Sequence, residues 1–172
     1  MGGSTFVFDF QAFKTLENEY VLKEVALAGV DSNAVLHYLV KAPFSYEALD
    51  SVTKERVDYV KRNIHGLCWN SGFIELRHVR KALATALKDA VVVYIKGSER
   101  AQFLRGFLRD IRVRAAVVNL DNDADFMRVK SYTRRKWFDH DHGSYRHMCL
   151  RCSLEQATAH RDILRKTLYR CD

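Results

Sequence analysis

From Asp139 the chain reads DHDHGSYRHMCLRCS, which gathers His140, His142, His147, Cys149 and Cys152 into one short span. Imidazole and thiolate are the donors of a zinc site, which takes four of them in a tetrahedron. The spacing is not that of a standard zinc finger. His-x-His and Cys-x-x-Cys are each weak signals, and their nearness is what carries information. The plainer reading is a polar loop entering a helix whose cysteines pack in the core. Two acids stand out by their neighbours. Asp9 lies between Phe8 and Phe10, and Glu24 lies inside VLKEVAL. A carboxylate in an apolar strand is costly unless it is paired, ligated or open to water. Facing each other on neighbouring strands, the two would suit a divalent cation, Mg²⁺ or Mn²⁺, held together with substrate phosphate. Spacing alone favours the plainer alternative, in which both point to solvent. Glu99, just after the apolar run AVVVYI, is a third candidate. Its plain reading is an acid in the first turn of a helix, where the helix dipole favours it.

The stretch FMRVKSYTRRKWF, from Phe126 to Phe138, carries Arg128, Lys130, Arg134, Arg135 and Lys136 and no acid. Interleaved with these are Phe126, Tyr132, Trp137 and Phe138. Cations attract phosphates, and aromatic rings stack on unpaired bases at roughly 1–3 kcal/mol each. Such a stretch points to single-stranded nucleic acid. The competing reading is a solvated face with the rings turned into the core. Lys plus Arg number 28 against 21 for Asp plus Glu, a formal charge of +7 that favours an anionic partner. No apolar run approaches the ~18 residues of a membrane span. The first residues lack the basic and apolar regions of a secretion signal, so the expected location is intracellular, with thiols reduced or metal-bound.

These residues need elements to position them. Thr5–Phe10, Tyr20–Ala28 and Ala34–Val40 read as strands with short connections, an antiparallel meander. A charged helix is expected from Ser45 to about Lys61, and Ile74–Leu87 has the apolar stripe of an amphipathic helix. Ala90–Ile95 suits a strand buried on both faces. A helix from Ser98 to about Leu108, a strand over Val113–Leu120 and a helix over Leu154–Leu168 complete the series. The expected fold is α/β in one domain over residues 1–172: a mixed five-stranded sheet, meander plus parallel strands, with helices on both faces. His37, in an apolar strand, and His65, in a loop, read as packed residues. His78 and His160 read as helix surface.

Four segments carry a resemblance. VFDFQAF holds Asp9 and, two residues on, Gln11; VLKEVAL holds Glu24; VVVYIKGSERAQFL holds Glu99 and Arg100; HMCLRCSLEQA holds His147 and, five residues on, Cys152. On a βββαβαβα order they resemble the ribonuclease H-like fold, and within it the DnaQ-type exonucleases and their degenerate cousins, the maelstrom domains. The chain is also similar in style to uncharacterised proteins of arthropod viruses and mobile elements. Asp9 matches the first acid of the exonuclease Asp-x-Glu motif, with Gln11 replacing the second. Glu99 or Arg100 falls near the acid of the second motif. His147 matches the third motif, His-x4-Asp, and Cys152 stands where its Asp should be. An active nuclease of this type would use Asp9, Glu24 and Glu99 as acids and His147 as general base, with Mg²⁺ or Mn²⁺. Maelstrom domains have instead exchanged the acids for a zinc site of Glu, His and Cys. That resemblance implies Glu24, His142, His147 and Cys152 as ligands, with His140 and Cys149 as alternates. It also implies binding of single-stranded RNA, with some ribonuclease activity. Three functions are therefore in view: an RNA-binding domain with a structural zinc, an active 3'-5' exonuclease, and a non-enzymatic interaction module such as a viral host-antagonist. The last has no positive mark in the sequence.

Overall fold

The apolar run around Asp9 becomes β1 (Ser4–Lys14), buried over most of its length. It pairs antiparallel with β2 (Tyr20–Gly29), which pairs antiparallel with β3 (Val35–Leu39). On its other side β1 runs parallel to β4 (Ala90–Ile95), and β4 runs parallel to β5 (Ala116–Asn119). The result is an α/β fold with a five-stranded mixed sheet in the order β3-β2-β1-β4-β5. The computed structural model describes residues 3–130, 140–142, 145–147 and 152–168.

The helices are α1 (Ser51–Val60), α2 (Leu76–Ala86), α3 (Ser98–Asp110), α4 (Ala124–Lys130) and α5 (Ser153–Leu168). A small antiparallel ribbon joins β6 (His140–His142) to β7 (Tyr145–His147). Phe6, Phe8 and Phe10 of β1 pack with Val79 and Leu83 of α2 and Leu104 and Phe107 of α3. The opposite face of the sheet presents Val7, Ala26 and Ala28 to Ala157 and Leu164 of α5 and to Phe126 of α4. Small side chains on that face let α5 lie close to the sheet. Phe13, Leu49, Val57 and Trp69 form a third cluster beneath α1. Among the described residues no helix is long and apolar enough to cross a membrane.

Several expectations change in detail. The helix expected from Ser45 is one short 3-10 turn followed by α1, because Asp50 caps a new helix by accepting from the Thr53 N–H at 2.9 Å. The strand buried on both faces is β1, not β4. Val91 is 51% exposed, and Val92 and Tyr94 are half-buried, since α5 lies over β1 and β2 instead. Phe126 is fully buried, as in the competing reading that turns the rings of its stretch into the core. His160, expected on a helix surface, is buried edge-on against Phe126 at 5.4 Å. The apolar environment of α4 and α5 wins at both positions.

A bulge between Gln11 and Ala12 of β1 shifts the β2 register at Lys23. The Lys23 ammonium is buried and donates to the carbonyls of Val40, Trp69 and Ser71 at 2.8, 2.8 and 2.5 Å. It ties β2 to the loop after α1. His65 is packed under the same loop. Its Nδ1 accepts from the Leu67 N–H at 3.1 Å, and its ring meets Phe13 edge-on at 4.9 Å. Burial pushes the His65 pKa down to about 4 from 6.5. The folded ring is therefore neutral where the unfolded one takes up a proton. Stability is intact above pH 6.5 and falls as pH drops toward 4, by up to about 3 kcal/mol. Urea unfolding across this window should show a loss that His65→Gln reduces; an unchanged slope would remove His65 from the account.

Candidate metal centre

The register of the meander decides which side chains meet. Residues 29–34 close the β2–β3 turn, with the Gly29 N–H donating to the Ala34 carbonyl at 2.8 Å. Counting back from there pairs Ala28 with Val35, Ala26 with His37 and Glu24 with Leu39. On the other side, Asp9 pairs with Ala26 and Gln11 with Glu24. Paired residues share a face of a sheet. Asp9, Ala26 and His37 therefore form one row across three strands, and Gln11 and Glu24 stand in the next row on the same face. The small Ala26 leaves room between the polar residues.

Helix α5 closes this face. It begins at Glu24 and reaches Gly29–Asn33, running alongside β2. Its start is held where the Ser153 N–H donates to Glu24 Oε2 at 2.9 Å. Its far end is held by Arg165, whose guanidinium donates to the carbonyls of Val30 and Ser32 at the β2–β3 turn. About 18 Å of helix matches about 20 Å of strand between these anchors.

Glu24 is wholly buried. Its Oε1 lies 2.7 Å from His37 Nε2 and accepts from the Cys152 thiol at 3.3 Å. One ligand atom each from Glu24, His37 and Cys152 lies within 4.8 Å of the other two. Burial alone would push the Glu24 carboxyl up. The His37 ring, the Ser153 N–H and the Cys152 thiol outweigh it and hold the carboxyl below its ordinary value. Carboxylate, imidazole and thiol converging beneath α5 can hold a metal ion. The sulfur selects against Mg²⁺ and Ca²⁺, which prefer oxygen.

Of the ligands expected from the sequence, Glu24 and Cys152 are brought together. They come from positions 128 residues apart. His37 joins them, which its reading as a packed core residue missed. The signal was available in the β2–β3 turn: once the turn is fixed, register alone puts His37 diagonal to Glu24. Backbone register sets His140 opposite His147 and His142 opposite Tyr145. For His140, His142, His147, Arg128 and Lys130 only the backbone is described, and Cys149, Tyr132, Arg134, Arg135, Lys136 and Trp137 lie outside the described residues.

The strand acids do not point to solvent, contrary to the reading that spacing favoured. Asp9 is 1% exposed, on a strand that α5 packs against and with Arg100 beside its carboxyl. β1 pairs with β4 only from Ser4 to Val7, so beyond Val7 its flank is open to the first turn of α3. Arg100 enters there. Its Nη2 donates to Asp9 Oδ1 at 2.8 Å and to the Phe10 carbonyl, and its guanidinium lies 4.4 Å from the centre of the Phe10 ring. Burial pushes the Asp9 carboxyl up, and the nearby Glu24 adds to this, against the pull of Arg100. Glu99 turns away to an exposed ion pair with Lys14. Its reading as a first-turn acid of α3 stands.

The described geometry thus contains a three-donor centre and, beside it, an acid already matched with a cation. No protein-family model matches the chain, and no curated protein is similar to it in sequence.

Proposed function

We propose that the chain is a nucleic-acid-binding domain for single-stranded RNA, built on a ribonuclease H-like scaffold, which binds rather than cuts. The element order and the mixed five-stranded sheet support that scaffold. The observation that carries the reading is that both strand acids are engaged. Two-metal phosphodiester cleavage needs carboxylates that hold both cations. Asp9 is paired with Arg100, Glu24 is bound to His37, Cys152 and Ser153, and Gln11 is not an acid.

A structural zinc suits Glu24, His37 and Cys152 by the chemistry of its donors. The fourth donor would come from the His140–Cys149 segment. Zinc there would fasten α5 to the meander and present the basic segment that precedes α5. The formal charge of +7 and the cations of Arg128, Lys130, Arg134, Arg135 and Lys136, interleaved with Tyr132 and Trp137, favour an anionic strand with stackable bases.

Fluorescence anisotropy with a labelled single-stranded RNA tests this reading. Affinity is expected to fall at least about tenfold between about 50 and about 200 mM salt. The combined Arg134→Ala, Arg135→Ala, Lys136→Ala variant should bind more weakly and with a shallower salt dependence. Absent or salt-independent binding would overturn the proposal.

A further inference from the structure

We infer that the groove between the β1–β2 turn, α2 and α3 is a docking site for an arginine side chain presented by a basic peptide. The groove has a volume of about 480 Å³ and lies on the sheet face opposite the metal centre. It rests on its own geometry and not on the RNA reading. Its floor is aromatic: Tyr20 and Phe103 meet edge-on at 4.8 Å, and Phe107 follows at 5.9 Å.

The rings around it already carry cations of this chain. Lys14 Nζ lies 4.9 Å from the centre of Tyr20, and the guanidinium carbon of Arg80 lies 5.6 Å from that of Phe107. Phe103, half-buried between those two, has no cation over it among the described residues. The groove is lined by the carboxylates of Glu19, Glu99 and Asp110 and by one guanidinium, Arg80. Glu99 is tied to Lys14, and Asp110 lies 4.0 Å from Arg80. Glu19 has no ion pair among the described residues. On a chain of formal charge +7 this is a locally acidic, ring-floored groove. With Glu99 and Asp110 matched by Lys14 and Arg80, the charge of Glu19 favours a cation over a phosphate. A guanidinium is planar and weakly hydrated. It stacks on a ring while its N–H groups reach carboxylates at the rim, which a compact ammonium does less well.

The test is titration of the ¹⁵N-labelled full chain with a tri-arginine peptide, followed by NMR. Saturable shifts are expected at the amides of Gln102 and Gly106, with a tri-lysine peptide binding more weakly. Phe103→Leu should weaken binding about two- to fivefold. Glu19→Gln, an exposed change that leaves the packing intact, should weaken it about twofold. The inference is overturned by no shifts at these amides, by unchanged affinity in Glu19→Gln, by equal binding of the lysine peptide, or by single-stranded RNA shifting the same amides in place of the peptide.

Discussion

Glu24→Ala is expected to remove one donor of the candidate metal centre and to destabilise the domain by about 3–5 kcal/mol. The carboxylate is the acceptor shared by β3, through His37, and by α5, through Cys152 and Ser153. Without it, the Ser153 N–H begins a helix in a buried place with no acceptor, and the His37 ring loses this contact. Each buried group left unmatched costs about 1–3 kcal/mol. Glu24→Gln keeps the shape and one acceptor oxygen, so its cost should be nearer 1–2 kcal/mol, roughly one hydrogen bond to a charged group. The carboxyl is held below its ordinary value in the fold, so the stability it contributes is present above the normal carboxylate range and is lost as pH falls through it. Urea unfolding of both variants, with metal content measured on the same samples, checks this. A Glu24→Ala protein as stable as the parent would mean that α5 is held by packing alone.

Arg100→Ala and Asp9→Asn should differ, although they break the same pair. Removing Arg100 leaves the buried Asp9 without a counter-charge, so that it stays ionised at a cost or takes up a proton, and is expected to cost about 3 kcal/mol at neutral pH. That loss should shrink in acid, where Asp9 takes up a proton and no longer needs a counter-charge. Asp9→Asn leaves a guanidinium that is 28% exposed and can keep its contacts with the Phe10 carbonyl and ring. Its cost should be about 1 kcal/mol, near that of one hydrogen bond. Thermal unfolding of both variants across pH checks the asymmetry. Equal losses, or an Arg100→Ala loss that does not change with pH, would show that Asp9 is not an ionised partner in the fold.

The meander and the terminal helix were legible because their apolar periods are regular and their connections short. Glu24 was legible as chemistry because an acid inside VLKEVAL breaks a local rule, and Cys152 because it lies in a cluster of histidines and cysteines. The burial of Glu24 was not legible, since spacing cannot show that α5 lies over β1 and β2. His37 escaped for a related reason. Its role depends on the β2–β3 register, which the turn at residues 29–34 fixes and which AVLHYLV alone does not reveal. The Asp9–Arg100 pair depends on β1 outrunning β4, a difference in strand pairing that no composition or period encodes. Phe126 follows the competing reading of its stretch: the sheet face took the ring into the core.

The proposed function is binding without cleavage. Its most direct test is one gel: end-labelled single-stranded RNA incubated with the protein and Mg²⁺ or Mn²⁺, then resolved both native and denatured. The predicted result is a retarded native complex whose RNA keeps its full length. RNA shortened by the parent protein, and left intact by Asp9→Asn, would contradict the account and restore Asp9 as a catalytic acid.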